Sequence, residues 1–103
     1  MPFVDACATE DIEEEDVIRW NHGGHIYALY HGFDGAFYCT DGLCTHERVP
    51  LSNGLVMDFE IECPKHNARF DYRTGKVLRA PACEPLKTYE TKVEAGRLLV
   101  NVP

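Results

Sequence analysis

The chain has 103 residues, 45% of them hydrophobic, and carries ten Lys and Arg against seventeen Asp and Glu, a formal net charge of −7. That length holds one domain, 1–103, of a size that often relies on a metal or a cross-link as a staple. The acidic balance excludes nucleic acid as a partner, and the lack of any run of eighteen apolar residues excludes a helical membrane span.

Short apolar runs of period two predict strands at Phe3–Ala6, Val17–Trp20, His25–Tyr30, Ala36–Thr40, Leu55–Met57, Glu60–Glu62, Arg69–Asp71, Val77–Leu78, Lys87–Lys92 and Leu98–Val102. Val, Ile, Tyr, Phe and Thr enrich them, as pleated surfaces favour. Turn signals join them: Asn21-His22-Gly23-Gly24, Asp34-Gly35, Thr74-Gly75 and Ala95-Gly96. No stretch of ten residues has a clean 3.6-residue apolar period, so helix is expected to be minor and the fold all-β, an antiparallel sandwich or barrel. The acidic run Glu10–Asp16 reads as a solvated turn between the first two strands, with Ile12 tucked inward.

Met1-Pro2-Phe3-Val4-Asp5-Ala6 has neither a basic nor an apolar leader region, which leads to the expectation of a cytoplasmic protein. Five cysteines are an odd number, and an odd number in such a chain fits metal binding or thiolate chemistry better than a disulfide framework.

Cys44-Thr45-His46 and Cys63-Pro64-Lys65-His66 are separated by sixteen residues. Each arm supplies one soft thiolate and one borderline imidazole, a donor set that suits zinc or an iron–sulfur cluster. A zinc finger groups its cysteines in one arm and its histidines in the other, whereas here each arm is mixed. If the arms form opposed loops, the cysteines meet on one metal and the histidines on a second. That division describes a [2Fe–2S] cluster with Cys44 and Cys63 on one iron and His46 and His66 on the other.

On these residues the chain resembles the Rieske ferredoxins, the small electron carriers of bacterial multicomponent ring-hydroxylating dioxygenases. The shared series runs through nearly the whole chain: Cys44-Thr45-His46, Leu51-Ser52-Asn53-Gly54, Cys63-Pro64-Lys65-His66, Phe70-Asp71, Thr74-Gly75, Pro81 and Pro85-Leu86-Lys87-Thr88-Tyr89. The resemblance implies a Rieske-like fold with a small cluster-binding subdomain built from loops at about 43–50 and 63–70, under a proline loop at about 80–86. Two departures stand out. Ala68 replaces a usual glycine, at a cost of order 1 kcal/mol if φ is positive there, unless Asn67 takes the unusual backbone instead. Glu15 occupies a turn position where glycine is common.

The respiratory branch of the family adds a disulfide between the arms and two hydroxyls that hydrogen-bond the cluster sulfurs. Here Val49 and Lys65 stand at the disulfide positions, and Ala68 and Phe70 at the hydroxyl positions. Without those donors the potential is expected in the lower part of the Rieske range, roughly −150 to 0 mV and nearly independent of pH around neutrality.

The implied function is one-electron transfer from an NAD(P)H-dependent flavin reductase to a terminal non-haem iron oxygenase, with no catalysis of its own and no small-molecule substrate. Such a carrier is expected to be monomeric, to dock through the tip bearing His46 and His66 with Arg48 and Lys65 beside it, and to meet basic partner surfaces. The alternatives are a small subunit of a larger reductase, of the nitrite reductase kind, and a structural zinc module. Cys39 reads as a core residue, Cys7 as half-exposed, and Cys83 as part of the loop shielding the cluster. His22, His25 and His31 read as structural or solvated, and Trp20 and the five tyrosines as sheet packing.

Overall fold

Two-residue turns fix the hairpins at both ends of the chain. Gly23 and Gly24 have φ of 58° and 77°, and Ala95 and Gly96 have 50° and 76°, the doubly left-handed pairs whose twist matches that of antiparallel strands. The computed structural model describes residues 3–65, 67–80 and 84–103, so His66, Pro81 and Cys83 lie outside the described residues. Among the described residues there is no α-helix, only two short 3₁₀ turns, and no helix is long and apolar enough to cross a membrane.

The described residues form eleven strands in order: β1 Phe3–Ala8, β2 Asp16–His22, β3 His25–His31, β4 Phe37–Asp41, β5 Leu55–Met57, β6 Glu60–Glu62, β7 Arg69–Asp71, β8 Val77–Arg79, β9 Thr88–Tyr89, β10 Thr91–Glu94 and β11 Arg97–Asn101. They form three antiparallel sheets, β1-β11-β10, β2-β3-β4-β9 and β5-β6-β7-β8. The run expected as one strand over Lys87–Lys92 divides at Glu90. Thr88–Tyr89 pairs with β4, whereas Thr91–Glu94 pairs with β11. The chain changes sheets there, and the Glu90 carbonyl accepts from Asn101 N–H at 2.8 Å, so no backbone group is stranded at the crossing.

The middle sheet is covered on both faces, which explains the unbroken apolar run of β3. Successive strand residues point to opposite faces. Tyr27 and Leu29 pack with Ile12, Cys39, Leu98, Val100 and Val102 against the first sheet. Ala28 and Tyr30 pack the other way with Val17, Leu51, Ile61, Phe70, Tyr72 and Leu86, and this second core also holds Cys44 and Cys63. The buried Tyr30 hydroxyl is satisfied by Thr40 Oγ1 at 2.9 Å, and the Thr40 hydroxyl donates in turn to the Asp41 carbonyl at 2.7 Å.

The acidic run behaves as its composition indicates. Ile12 is buried at 2% exposure while Glu13, Glu14 and Glu15 are exposed, and His31 Nδ1 donates to the Ile12 carbonyl at 2.8 Å. Glu15 takes φ 60°, the left-handed turn where a glycine was expected to be easier. Cys39 is buried and Cys7 half-buried, as read from their neighbours.

Candidate metal centre

The two arms leave the fold at equivalent points. β4 ends at Asp41, whose Oδ1 accepts from His25 Nε2 at 2.7 Å and from the Tyr89 hydroxyl at 2.6 Å, fixing the strand end before the first loop. The loop then closes on itself: Cys44 N–H donates to the Val49 carbonyl at 2.9 Å, and Leu43 bridges Pro50. The second loop joins β6 to β7, and Cys63 N–H donates to the Ala68 carbonyl at 2.7 Å. In both arms the cysteine amide therefore reaches the carbonyl five residues on. In both, the residue before that carbonyl turns left-handed, Arg48 at φ 55° and Asn67 at φ 58°. Asn67, not Ala68, carries the unusual backbone, and Asn is among the residues that adopt it with least penalty. Ala68 is free to be fully buried behind the loop.

This repeated closure sends both thiols inward. Cys44 is 1% exposed and Cys63 is fully buried, and the two free thiols lie in one apolar cluster with no disulfide between them. Burial, with the Cys44 sulfur alongside, pushes the Cys63 thiol up from its ordinary value. Metal ligation requires thiolates, so a bound cation supplies the charge that this apolar site otherwise refuses, and loading releases protons. Two adjacent soft donors in a buried, apolar setting fit an iron–sulfur group. His46 is exposed at the tip of the first arm, on the solvent side of the buried sulfurs. Among the described residues no three His, Cys, Asp or Glu side chains gather tightly enough for a single ion. A divided set of two sulfurs and two imidazoles needs no such trio at one metal, and its fourth member, His66, lies outside the described residues.

Three supports carry no motif of their own. Thr45 Oγ1 donates to the Glu84 carbonyl at 2.8 Å, tying the first arm to the far end of the proline loop. Gly75, at φ 82°, accepts from Leu86 N–H at 2.8 Å, and a Cβ there would lie 1.9 Å from the Leu86 carbonyl oxygen, so only glycine lets that segment lie on the β7–β8 hairpin. Glu47 bridges the arms, with Oε2 3.5 Å from His46 Nε2 and Oε1 3.3 Å from Lys65 Nζ. Lys65, expected beside the docking tip, makes this contact with its side chain still 58% exposed. The sequence signal for this bridge is only an acidic residue next to His46 and a basic one two places after Cys63.

Fold and donor set together define a small β protein built around a soft-metal centre. The chain belongs to the Rieske [2Fe-2S] domain family, whose profile matches residues 2–90, and its cofactor is one Rieske-type [2Fe–2S] cluster. It is 42% identical over 102 residues to the ferredoxin component of the naphthalene 1,2-dioxygenase system of Pseudomonas putida, covering 99% of this chain and 97% of that one. Among solved structures, the Sphingomonas yanoikuyae B1 ferredoxin superposes with a TM-score of 0.92 at 29% identity, over 99% of this chain and all of that one. A chain from the complex of reduced oxygenase and oxidized ferredoxin in carbazole 1,9a-dioxygenase matches with a TM-score of 0.89 at 33% identity, over 95% of this chain and 91% of that one.

Proposed function

We propose that this chain is the one-electron carrier of a ring-hydroxylating dioxygenase system, taking electrons from an NAD(P)H-dependent flavin reductase and delivering them to a terminal non-haem iron oxygenase. The observation that carries the reading is the pair of equivalent arms, each burying one thiol behind an exposed tip. Cys44 and Cys63 would hold one iron, and His46 and His66 the other. When bound, the cluster supplies reversible one-electron exchange. The chain's own residues keep the sulfur side dry, hold the arms at a fixed separation, and leave the imidazole side open for a partner's redox centre.

The names of the relatives support the oxygenase as acceptor: they are ferredoxin components of naphthalene and p-cumate dioxygenase systems, and one solved structure pairs a ferredoxin with its oxygenase. The flavin reductase as donor, a monomeric carrier and a cytoplasmic location complete the proposal. The test is reconstitution. NADH, a purified ferredoxin reductase, this protein and an oxygenase of the naphthalene class are expected to give substrate-dependent O₂ uptake that disappears when this protein is left out. Reduction of the protein without any onward oxidation by such oxygenases would refute the assignment of its acceptor.

A further inference from the structure

At the end of the middle sheet away from the arms, the acidic run borders an apolar groove of about 540 Å³. β4 carries the chain about 13 Å from Phe37, at the groove, to Asp41, where the first arm departs. The groove is floored by Ile12 and Phe37, and Val93 of β10 opens to solvent beside them at 50% exposure. The His31 ring stacks on Phe37 at 4.2 Å, and His31 is itself fixed on the Ile12 carbonyl at 2.8 Å, so the floor is preformed. Glu10, Glu13 and Glu14 make the rim, and all three are exposed. Other carboxylates of the run serve the backbone: Asp11 accepts from Ala8 N–H and Asp16 from Val17 N–H. Among the described residues the three rim carboxylates make no hydrogen bond or ion pair.

We infer that this groove is a second docking surface, for a segment of the terminal oxygenase that presents a lysine or arginine beside an apolar side chain. The inference rests on the reading of that oxygenase as the electron acceptor. Three carboxylates around an apolar floor match a long cationic side chain, whose methylenes cover apolar surface while its charge reaches the rim. A second copy of this chain carries the same net charge of −7 and brings the same rim, so like charges oppose self-association here. The oxygenase is favoured over the reductase because the relatives are named as components of dioxygenase systems and one solved structure pairs a ferredoxin with its oxygenase. With the groove gripped, the contact at the tip becomes intramolecular, which strengthens docking and leaves the electron path unchanged.

The experiment measures calorimetrically, at low salt, the Kd of the holoprotein for a purified oxygenase of the naphthalene class. Val93→Lys, which sets a cation over the groove, is expected to raise Kd about tenfold or more. Glu13→Gln combined with Glu14→Gln is expected to raise it about three- to tenfold and to flatten its salt dependence. Asp58→Asn, a charge control at the exposed β5–β6 turn whose φ of 54° asparagine accepts, is expected to stay within about twofold. In the reconstituted chain the groove variants should need more carrier for half-maximal O₂ uptake yet reach the wild-type maximum. Groove variants that bind like wild type, or no more weakly than Asp58→Asn, overturn the inference. Weakened binding of the reductase alone overturns it too. If Val93→Lys does not fold, the Glu13→Gln and Glu14→Gln pair decides, since those side chains support nothing in the fold. Wild-type protein that binds the oxygenase but passes it no electrons refutes the carrier reading and leaves the groove to be judged by these affinities, whereas no binding at all removes both.

Discussion

Replacing Ala68 by serine puts a hydroxyl where none exists, in the core that holds Cys44 and Cys63, the proposed ligand cysteines. Ala68 is fully buried, its carbonyl is already committed to Cys63 N–H at 2.7 Å, and its Cβ lies in the same apolar cluster as Cys44 and Cys63. Water cannot satisfy the new hydroxyl there, so a cluster sulfur is its natural acceptor. A hydrogen bond to a charged acceptor contributes roughly 1.5–3 kcal/mol. Only the part gained when the acceptor becomes more negative moves the potential. Taking that part as about 1 kcal/mol gives a rise of about 40 mV, since 1.4 kcal/mol is one decade and 59 mV for one electron. Protein-film voltammetry of Ala68→Ser measures this directly. A fully loaded variant whose potential is unchanged or lower would contradict the claim that missing hydroxyls keep this carrier at the low end of the range.

Phe70, fully buried on β7 in the core it shares with Ala28 and Tyr30 of the middle sheet, is expected to cost about 3–5 kcal/mol when cut to alanine, read from urea unfolding of the holoprotein, and a loss below about 1 kcal/mol would show that it is not central to the packing. Gly75→Ala forces a Cβ to 1.9 Å from the Leu86 carbonyl oxygen at a left-handed φ that itself costs about 1–2 kcal/mol, so the segment after the proline loop is expected to lift. The visible absorbance of that variant should then bleach faster in air, and an unchanged half-life would show that the segment does not protect the centre. All five tyrosines have their ionisation pushed above the ordinary value, chiefly by burial, Tyr38 to about 12 with Asp34 adding to the rise. The folded chain therefore keeps those protons longer than the unfolded one. Stability from this source is whole below about pH 10 and is lost as pH climbs through the folded values. Tyrosinate absorbance is expected to appear together with loss of the near-ultraviolet dichroism, whereas ordinary titration near pH 10 in an intact fold would contradict the burial.

Much of the architecture is legible in the chain because its strands alternate and its turns are punctuated by glycine. β5, β6 and β7 match their expected limits, and the turns at Gly23-Gly24 and Ala95-Gly96 both take left-handed pairs, glycine doing so freely and Ala95 against its residue type. What period and composition cannot show is where a strand changes partners, so Lys87–Lys92 reads as one run although its halves serve two sheets. The likeness of the two arms is also hidden, since it lies in an amide-to-carbonyl closure over five residues and not in a repeated motif. Its left-handed residues, Arg48 and Asn67, are not glycines and give no punctuation. The Glu47 bridge depends on two loops eighteen positions apart meeting at one point, which only the folded chain reveals.

Net charge shows a similar limit. The total of −7 predicts a carrier that meets basic surfaces, but it says nothing of where the charge lies. Over residues 43–80, which carry both arms and the third sheet, six Lys and Arg stand against five Asp and Glu, while the acidic excess lies on the remainder of the chain. Salt is therefore expected to slow encounter through the body of the molecule more than through the docking tip.

The proposed centre is one arrangement, two cysteine sulfurs on one iron and two imidazoles on the other. Pulsed EPR of the dithionite-reduced protein, grown with ¹⁵N-labelled histidine, tests it most directly. Strong couplings from two histidine nitrogens are expected, one of them lost in His46→Ala if the cluster survives and all cluster signal lost if it does not. A reduced cluster with no histidine nitrogen coupling, or one unaffected by removal of His46, would contradict it.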